Sequence, residues 1–203
     1  MAAMSGRSFL STTLLQKMLD GSAEGWNRFV LIYAPIVGNW CRRYELQAAD
    51  VNDVIQDVFL RLARSLSTYD SGRPFLPWLA TITRNALLTH VTKRDPVAGE
   101  GGSDALRRLE EFPATADDDS SLVVTDDDLR LVVSRTLALI EPEFSSTTWQ
   151  AFWRRTVDDV PGVLVAAELG LSENAVRIAV HRVRRRIHDL LGDLPGDTAI
   201  SGD

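Results

Sequence analysis

The chain has 203 residues, a net charge of −6, a hydrophobic fraction of 45% and a charged fraction of 25%, values typical of a folded globular protein with one domain or two small ones. Its single cysteine, Cys41, excludes an intrachain disulfide and fits a reducing compartment. The N-terminus has no apolar signal core, and the longest apolar run, residues 29–37, is too short to cross a bilayer. We therefore expect a cytoplasmic protein with no membrane insertion.

Two amphipathic helices are predicted near the N-terminus. Residues 9–20 form a short one that ends at Gly21, and Ser22 is suited to cap the next. In this second helix apolar residues recur at helical spacing between residues 26 and 44, which indicates a wide core-facing stripe. Pro35 lies inside it and predicts a kink or a restart of the helix.

The charge of segment 49–94 changes from mostly negative in its first half to positive in its second half. The helix expected at about 50–66 carries apolar residues at three- and four-residue steps and a mostly acidic polar face. A turn with the helix breakers glycine and proline at 69–74 leads to a helix at about 76–92. No acidic residue occurs in 71–94, where cations, two aromatic residues and threonines are found. The acidic face suits a basic protein surface. The cationic helix offers charge for phosphates and a π-face for bases, as a nucleic-acid strand requires.

Composition changes after residue 95. Residues 96–125 are rich in glycine and aspartate and predict a flexible acidic linker, with a short helix at about 105–112. The next helix begins at residue 126 with three aspartates, which suit the positive end of a helix. The chain is therefore predicted to be all-α, with two small helical domains, 9–95 and 126–192, joined by this linker.

Residues 160–191 carry the pattern of a helix-turn-helix. Ala166 supplies the small residue needed where the two helices cross, Gly170 suits the tight turn, and Ser172 can cap the second helix. The outward face of that second helix is basic, so it can bind phosphates and read base edges in the major groove. The residues expected to bind DNA there are Ser172, Glu173, Asn174, Arg177, His181, Arg182 and Arg185.

From about residue 15 to residue 191 the chain resembles a bacterial extracytoplasmic-function (ECF) sigma factor. Three segments in the family's order carry the resemblance: ADVNDVIQDVFLRL at 49–62, FLPWLATITRNALLTHVTKR at 75–94 and AAELGLSENAVRIAVHRVRRRI at 166–187. The resemblance implies that two helical domains bind core RNA polymerase and promoter DNA, the −35 element as duplex and the −10 element melted. It also implies an anti-sigma factor as a further partner. Two departures from the family's pattern, at Pro77 and at 161–162, lie at helix starts, where proline is tolerated.

The resemblance also implies residue roles in the first domain. The helix that docks on the clamp helices of the polymerase's largest subunit is matched by Asp53, Gln56, Asp57 and Arg61. The part that melts and holds the −10 element is matched by Arg73, Trp78, Thr81, Arg84, Asn85, Thr89 and Arg94. Of these, Arg84 and Asn85 are expected to contact DNA directly, whereas for Trp78 core packing with Leu79 and Ile82 is the favoured alternative. In the second domain, the helix that reads the −35 element is matched by Arg177, His181, Arg182 and Arg185.

Two other classes of protein are alternatives at this point. A stand-alone helix-turn-helix regulator would bind duplex DNA by itself, but it leaves the cationic, threonine-containing helix unexplained. An enzyme is not expected, because the sequence has no nucleophile elbow, no phosphate-binding glycine loop and no cofactor motif. A metal site is not expected either, since His181 and His188 share a helical face without a carboxylate or thiol at ligand spacing.

Overall fold

The computed structural model describes residues 9–44, 46–94 and 124–192. Within these residues the chain is all-α, with eight α-helices, two short 3₁₀ turns and no strand. The helices are α1 (Thr12–Leu19), α2 (Ala23–Arg43), α3 (Ala48–Ser65), α4 (Phe75–Arg94), α5 (Asp126–Ile140), α6 (Ser146–Thr156), α7 (Gly162–Leu169) and α8 (Glu173–Leu191). The predicted all-α fold is confirmed. The expected short helix at 105–112 and most of the expected linker lie outside the described residues.

The ends of the helices follow local signals in the sequence. Ser22 Oγ accepts a hydrogen bond from the Gly25 amide at 3.2 Å, and Ser172 Oγ accepts one from the Ala175 amide at 3.1 Å, so both predicted caps are confirmed. Gly170 ends α7 with φ of +64°, the left-handed conformation that glycine adopts without steric cost. α2 runs continuously past Pro35, so no restart of the helix occurs.

An aromatic cluster fixes α4 against α2. Phe29, Tyr33 and Phe75 are fully buried. The Phe75 ring lies 5.7 Å from that of Phe29 and 5.2 Å from that of Tyr33, in edge-to-face arrangements that aromatic pairs prefer. Because Phe75 is the first residue of α4, this cluster sets where that helix begins and how it lies on α2.

The C-terminal helices contact the N-terminal ones directly. One cluster of buried apolar side chains includes Phe29 and Trp40 of α2, Val132 of α5 and Ile187 of α8. Ser11 adds polar contacts, since its amide donates to the Leu190 carbonyl at 3.2 Å. In this conformation the two predicted domains therefore share a core, and their division at 9–95 and 126–192 stays a prediction.

Two clusters of ion pairs also cross between the halves. Arg43 of α2 donates to Asp128 Oδ1 at 2.8 Å, and the Asp128 side chain is only 1% exposed. Glu143 binds Arg28 of α2 at 2.8 Å and Arg186 of α8 at 2.6 Å. Buried and half-buried carboxylates require such partners, because an unpaired charge away from water is costly. Over the described ranges, no helix is both long and apolar enough to span a membrane.

Candidate protein and nucleic-acid interfaces

The first candidate surface is the outer face of α3. The opposite face of this helix buries Val51, Val54, Val58 and Leu62. That burial fixes the rotation of the helix and turns the predicted polymerase-binding residues outward. Asp53 and Gln56 are exposed, and Asp57 and Arg61 are half-buried. Leu60 lies among them and is 59% exposed, so the face combines acidic groups with an apolar contact point, as helix-on-helix docking requires.

Arg61 is not a free cation on this face. Its Nε donates to Asp57 Oδ2 at 2.9 Å, and its Nη2 donates to Thr89 Oγ1 of α4 at 3.1 Å. The guanidinium is therefore turned toward α4. This contact brings the first candidate surface next to the second.

The second candidate surface is the outer face of α4 with the turn before it. Trp78, Thr81, Asn85 and Thr89 follow one another at three- and four-residue steps, so they share one face of the helix. Thr81 and Asn85 are exposed, Trp78 and Thr89 are half-buried, and Arg73 is exposed in the preceding turn. The side chain of Arg94 lies outside the part of the chain that the structure describes.

Two residues expected at the DNA strand turn inward. Arg84 is only 6% exposed. Burial raises the pKa of Tyr44, and the charge of Arg84 opposes that rise, which locates the guanidinium near the end of α2. The direct DNA contact expected of Arg84 is not available to it in this conformation. Trp78 lies against Tyr69, with ring centroids 4.6 Å apart, so part of its ring covers the core, in line with the alternative interpretation.

The third candidate surface is the helix-turn-helix. Val165 and Ala166 of α7 pack against Val176 and Ala179 of α8 in a small core of their own. All seven residues of α8 and its cap that were predicted to bind DNA are exposed. Six of them, all except Ser172, line an open groove, and on this face Asn174 accepts a hydrogen bond from Arg177 at 2.8 Å.

Two arginines near this groove were not assigned correctly from the sequence. Arg155 of α6 also lines the groove, and it escaped notice because α6 is separated from α8 in sequence. Arg186 belongs to the arginine run expected to face outward, but it is bound to Glu143. Among the described residues, no three histidine, cysteine, aspartate or glutamate side chains are grouped as metal ligands.

The chain is similar to a known protein family and to several characterised proteins. Residues 29–97, which contain α3 and α4, match the family model for sigma-70 region 2. The chain is 28% identical over 187 residues to the RNA polymerase sigma factor CarQ of Myxococcus xanthus, covering 91% of this chain and 99% of CarQ. It is 27% identical over 185 residues to the ECF RNA polymerase sigma factor SigE of Mycolicibacterium smegmatis, covering 90% of this chain and 67% of SigE.

Along most of its length the chain is therefore similar to ECF sigma factors. It is also 23% identical over 177 residues to the ECF RNA polymerase sigma-E factor of Escherichia coli K12, covering 86% of this chain and 90% of that protein. Among solved structures, CnrH in complex with the cytosolic domain of CnrY matches with 21% sequence identity and a TM-score of 0.34, covering 86% of this chain and 92% of CnrH. These matches support a role as an RNA polymerase sigma factor, and a stand-alone regulator is not favoured. The sigma factor family is generally non-enzymatic.

Proposed function

We propose that this sigma factor uses its three surfaces for three different tasks in transcription initiation. The outer face of α3 binds core RNA polymerase, the outer face of α4 holds the melted strand of the −10 element, and α8 reads the −35 element as duplex. The observation that carries the proposal is the side-by-side placement of α3 and α4. An acidic face and a threonine-bearing face without carboxylates lie next to each other and are joined by Arg61. A regulator that binds only duplex DNA has no need for an acidic face and a strand-binding face placed side by side.

The chemistry of the α4 face suits a single strand. Thr81 and Asn85 are exposed and offer hydroxyl and amide groups to base edges, and Arg73 offers charge to the phosphates. Extruding a base from the duplex stack costs a few kcal/mol, so the face must supply contacts that exist only with the open strand. Part of the Trp78 ring remains accessible for stacking.

The chemistry of the α8 face suits a major groove. Arg177 and His181 lie one turn apart on the exposed side, with Arg182 and Arg185 beyond them. An arginine can donate two hydrogen bonds to the edge of a guanine, and the others can neutralise phosphates. The N-terminal half of the second helix of a helix-turn-helix is the part that meets base edges, and Ser172 to Arg177 form that half here.

Run-off transcription tests the proposal. Core polymerase is combined with a promoter library, with and without this protein. We expect selective initiation from templates that share two short motifs. Arg177→Ala is expected to cost about fivefold to 100-fold in selection at one position of the upstream motif, as is typical for loss of a base contact. Arg130→Ala is the matched control, because Arg130 is an exposed arginine on α5, outside the three surfaces.

A different result would refute the proposal. If core polymerase gains no initiation, while the protein alone retards duplex DNA, the molecule acts as a conventional regulator. If Asp53→Lys leaves polymerase binding unchanged, α3 is not the docking face, because reversing a charge in a complementary interface is expected to weaken association markedly.

An anti-sigma factor is a further proposed partner, and the cytoplasm, where core polymerase is found, is the proposed location. One protein that covered both α3 and α8 would block polymerase and promoter at once, which is the simplest way to silence a factor with separate surfaces. Competition between such a protein and core polymerase for the α3 face is the measurement that checks this.

A further inference from the structure

Arg61 connects two candidate surfaces that are otherwise separate. On α3 it donates to Asp57 Oδ2 at 2.9 Å, and across to α4 it donates to Thr89 Oγ1 at 3.1 Å. Thr89 Oγ1 in turn donates to the Asn85 carbonyl at 2.8 Å. A continuous chain of hydrogen bonds therefore leads from a carboxylate on the polymerase-facing side to the backbone of a residue on the DNA-facing side.

The chemistry of the Arg61 guanidinium and the Thr89 hydroxyl restricts the hydrogen bonds that each can make. A guanidinium is planar, and its N–H groups point in fixed directions, so one arginine that binds two acceptors holds them in a fixed register. A threonine hydroxyl has one proton and two lone pairs. The hydroxyl of Thr89 donates its proton to the Asn85 carbonyl, and one of its lone pairs accepts the hydrogen bond from Arg61. Thr89 therefore presents only its second lone pair, an acceptor, to an incoming base, because its proton is bound within α4 and Arg61 occupies the first lone pair.

The same contacts let docking and strand binding act on one shared group, the guanidinium of Arg61. The side chains of Arg61 and Asp57 are 33% and 43% exposed, so a cation of a protein partner can reach the carboxylate. Such a cation would share Asp57 with Arg61 and change the strength of the bond from Arg61 to Thr89. Two sites that bias one shared element are coupled, and the coupling acts equally in both directions.

We propose that Arg61 is a positioning residue that transmits polymerase docking at Asp57 to the −10 surface at Thr89, rather than a cation that itself contacts polymerase. The proposal rests on the function proposed above for α3 and α4. It extends that function by assigning to one side chain the link between the two binding steps.

Two measurements separate polymerase docking from opening of the −10 element. Affinity for core polymerase is measured by fluorescence anisotropy, and opening of the −10 element in the holoenzyme is followed by 2-aminopurine fluorescence in the promoter. Arg61→Gln is expected to reduce opening by about threefold to tenfold, the size usual for loss of one coupled hydrogen bond, with core affinity changed less than about twofold. Arg61→Lys is expected to behave like Arg61→Gln, because a lysine keeps the charge but lacks the planar fork.

Thr89→Val is the partner substitution, since it keeps the shape and removes the hydroxyl. It is expected to reduce opening in the wild-type background and to add nothing in the Arg61→Gln background. Thr92→Val is the matched control. Thr92 is one turn further along α4 and exposed, and its hydroxyl donates to the Leu88 carbonyl at 2.9 Å, a bond within its own helix. Arg64→Gln serves the same purpose on α3, where Arg64 is exposed.

Several results would overturn the proposal. Loss of core affinity in Arg61→Gln as large as the loss of opening would make Arg61 an ordinary docking cation. Additive effects of Arg61→Gln and Thr89→Val would remove the link between the two helices. If the wild-type protein neither binds core polymerase nor supports opening, the proposed function itself fails, and that outcome is seen before any variant is measured.

Discussion

At the scale of single residues, Cys41 shows how burial changes the chemistry of a side chain. It is fully buried in α2, and burial raises the pKa of its thiol to about 12, although the charge of Arg42 opposes the shift. Only the thiolate is nucleophilic, so the raised pKa adds to the steric burial in keeping the thiol unreactive at pH 8. We expect no reaction of the folded chain with a disulfide reagent at pH 8 and rapid reaction in denaturant.

The labelling rate measures this directly. The chain has one cysteine, so the signal has a single origin. Rapid stoichiometric labelling of the folded protein would contradict the burial of Cys41. A rate that rises with denaturant in parallel with unfolding would agree with it.

Arg84 shows what the residue-level reasoning missed. Charge on α4 was interpreted as surface, although Arg84 follows Leu76 and Ala80 at four-residue steps and so lies on the same buried stripe. That spacing was the signal for burial. The charge pointed the other way, because a buried arginine needs partners, and partners from other helices are not visible in the sequence.

At the scale of elements, the turn of the helix-turn-helix depends on one backbone conformation. Gly170 has φ of +64°, and no atom lies within 4 Å of the place where a Cβ would stand. Strain of the left-handed conformation is therefore the whole cost of Gly170→Ala, and we expect a loss of about 1 to 2 kcal/mol. For a chain of this size that lowers the melting temperature by about 2–8 °C.

A second glycine provides the control for this prediction. Gly162 begins α7 without a positive φ, and the space that an added methyl group would occupy is likewise free of other atoms to a distance of 4 Å. Gly162→Ala is expected to be neutral or stabilising by up to about 1 kcal/mol. Thermal unfolding followed by circular dichroism compares the two variants. Equal effects of both substitutions would mean that the φ of Gly170 is not the cause.

The elements were predictable because their signals are local. Ser22 and Ser172 mark helix starts, Gly170 marks an end, and the helix predicted to begin at residue 126 does begin there. The exposed face of α8 was predictable from the helical spacing of its apolar and basic residues. Contacts between elements have no local signature, so Arg155 in the α8 groove and the bond from Arg61 to Thr89 became visible only in the structure.

At the scale of the whole molecule, the packing of the two halves was the least predictable feature. The aspartates at the start of α5 suit the positive end of a helix. Asp128 does belong to a capping box with Thr125, but its carboxylate is also bound by Arg43 from the other half of the chain. The pairing joins residues 85 positions apart, and nothing in the sequence near either residue indicates it.

Glu143 gives a prediction about this packing. Its Oε1 accepts hydrogen bonds from Arg28 at 2.8 Å and from Arg186 at 3.0 Å, and its Oε2 accepts one from Arg186 at 2.6 Å. The bond from Arg186 is the main cause that lowers the pKa of this carboxyl below 4.5, with partial burial acting against it. A single Glu143→Gln substitution is expected to reduce the free energy of unfolding by about 1 kcal/mol at neutral pH.

The dependence on pH follows from the direction of that shift. The folded pKa of Glu143 is lower than the unfolded one, so its stabilising contribution is complete above the ordinary value of 4.5 and is lost as the pH falls through the folded pKa. Glu143→Gln should therefore be less stable than wild type at pH 7, and the difference should shrink as the pH falls below 4.5. Urea unfolding across this range measures it, with Glu141→Gln, an exposed neighbour, as control. A difference that is constant with pH would mean that the charge of Glu143 does not hold the halves together, which leaves that role to the shared apolar core and the pair of Arg43 and Asp128.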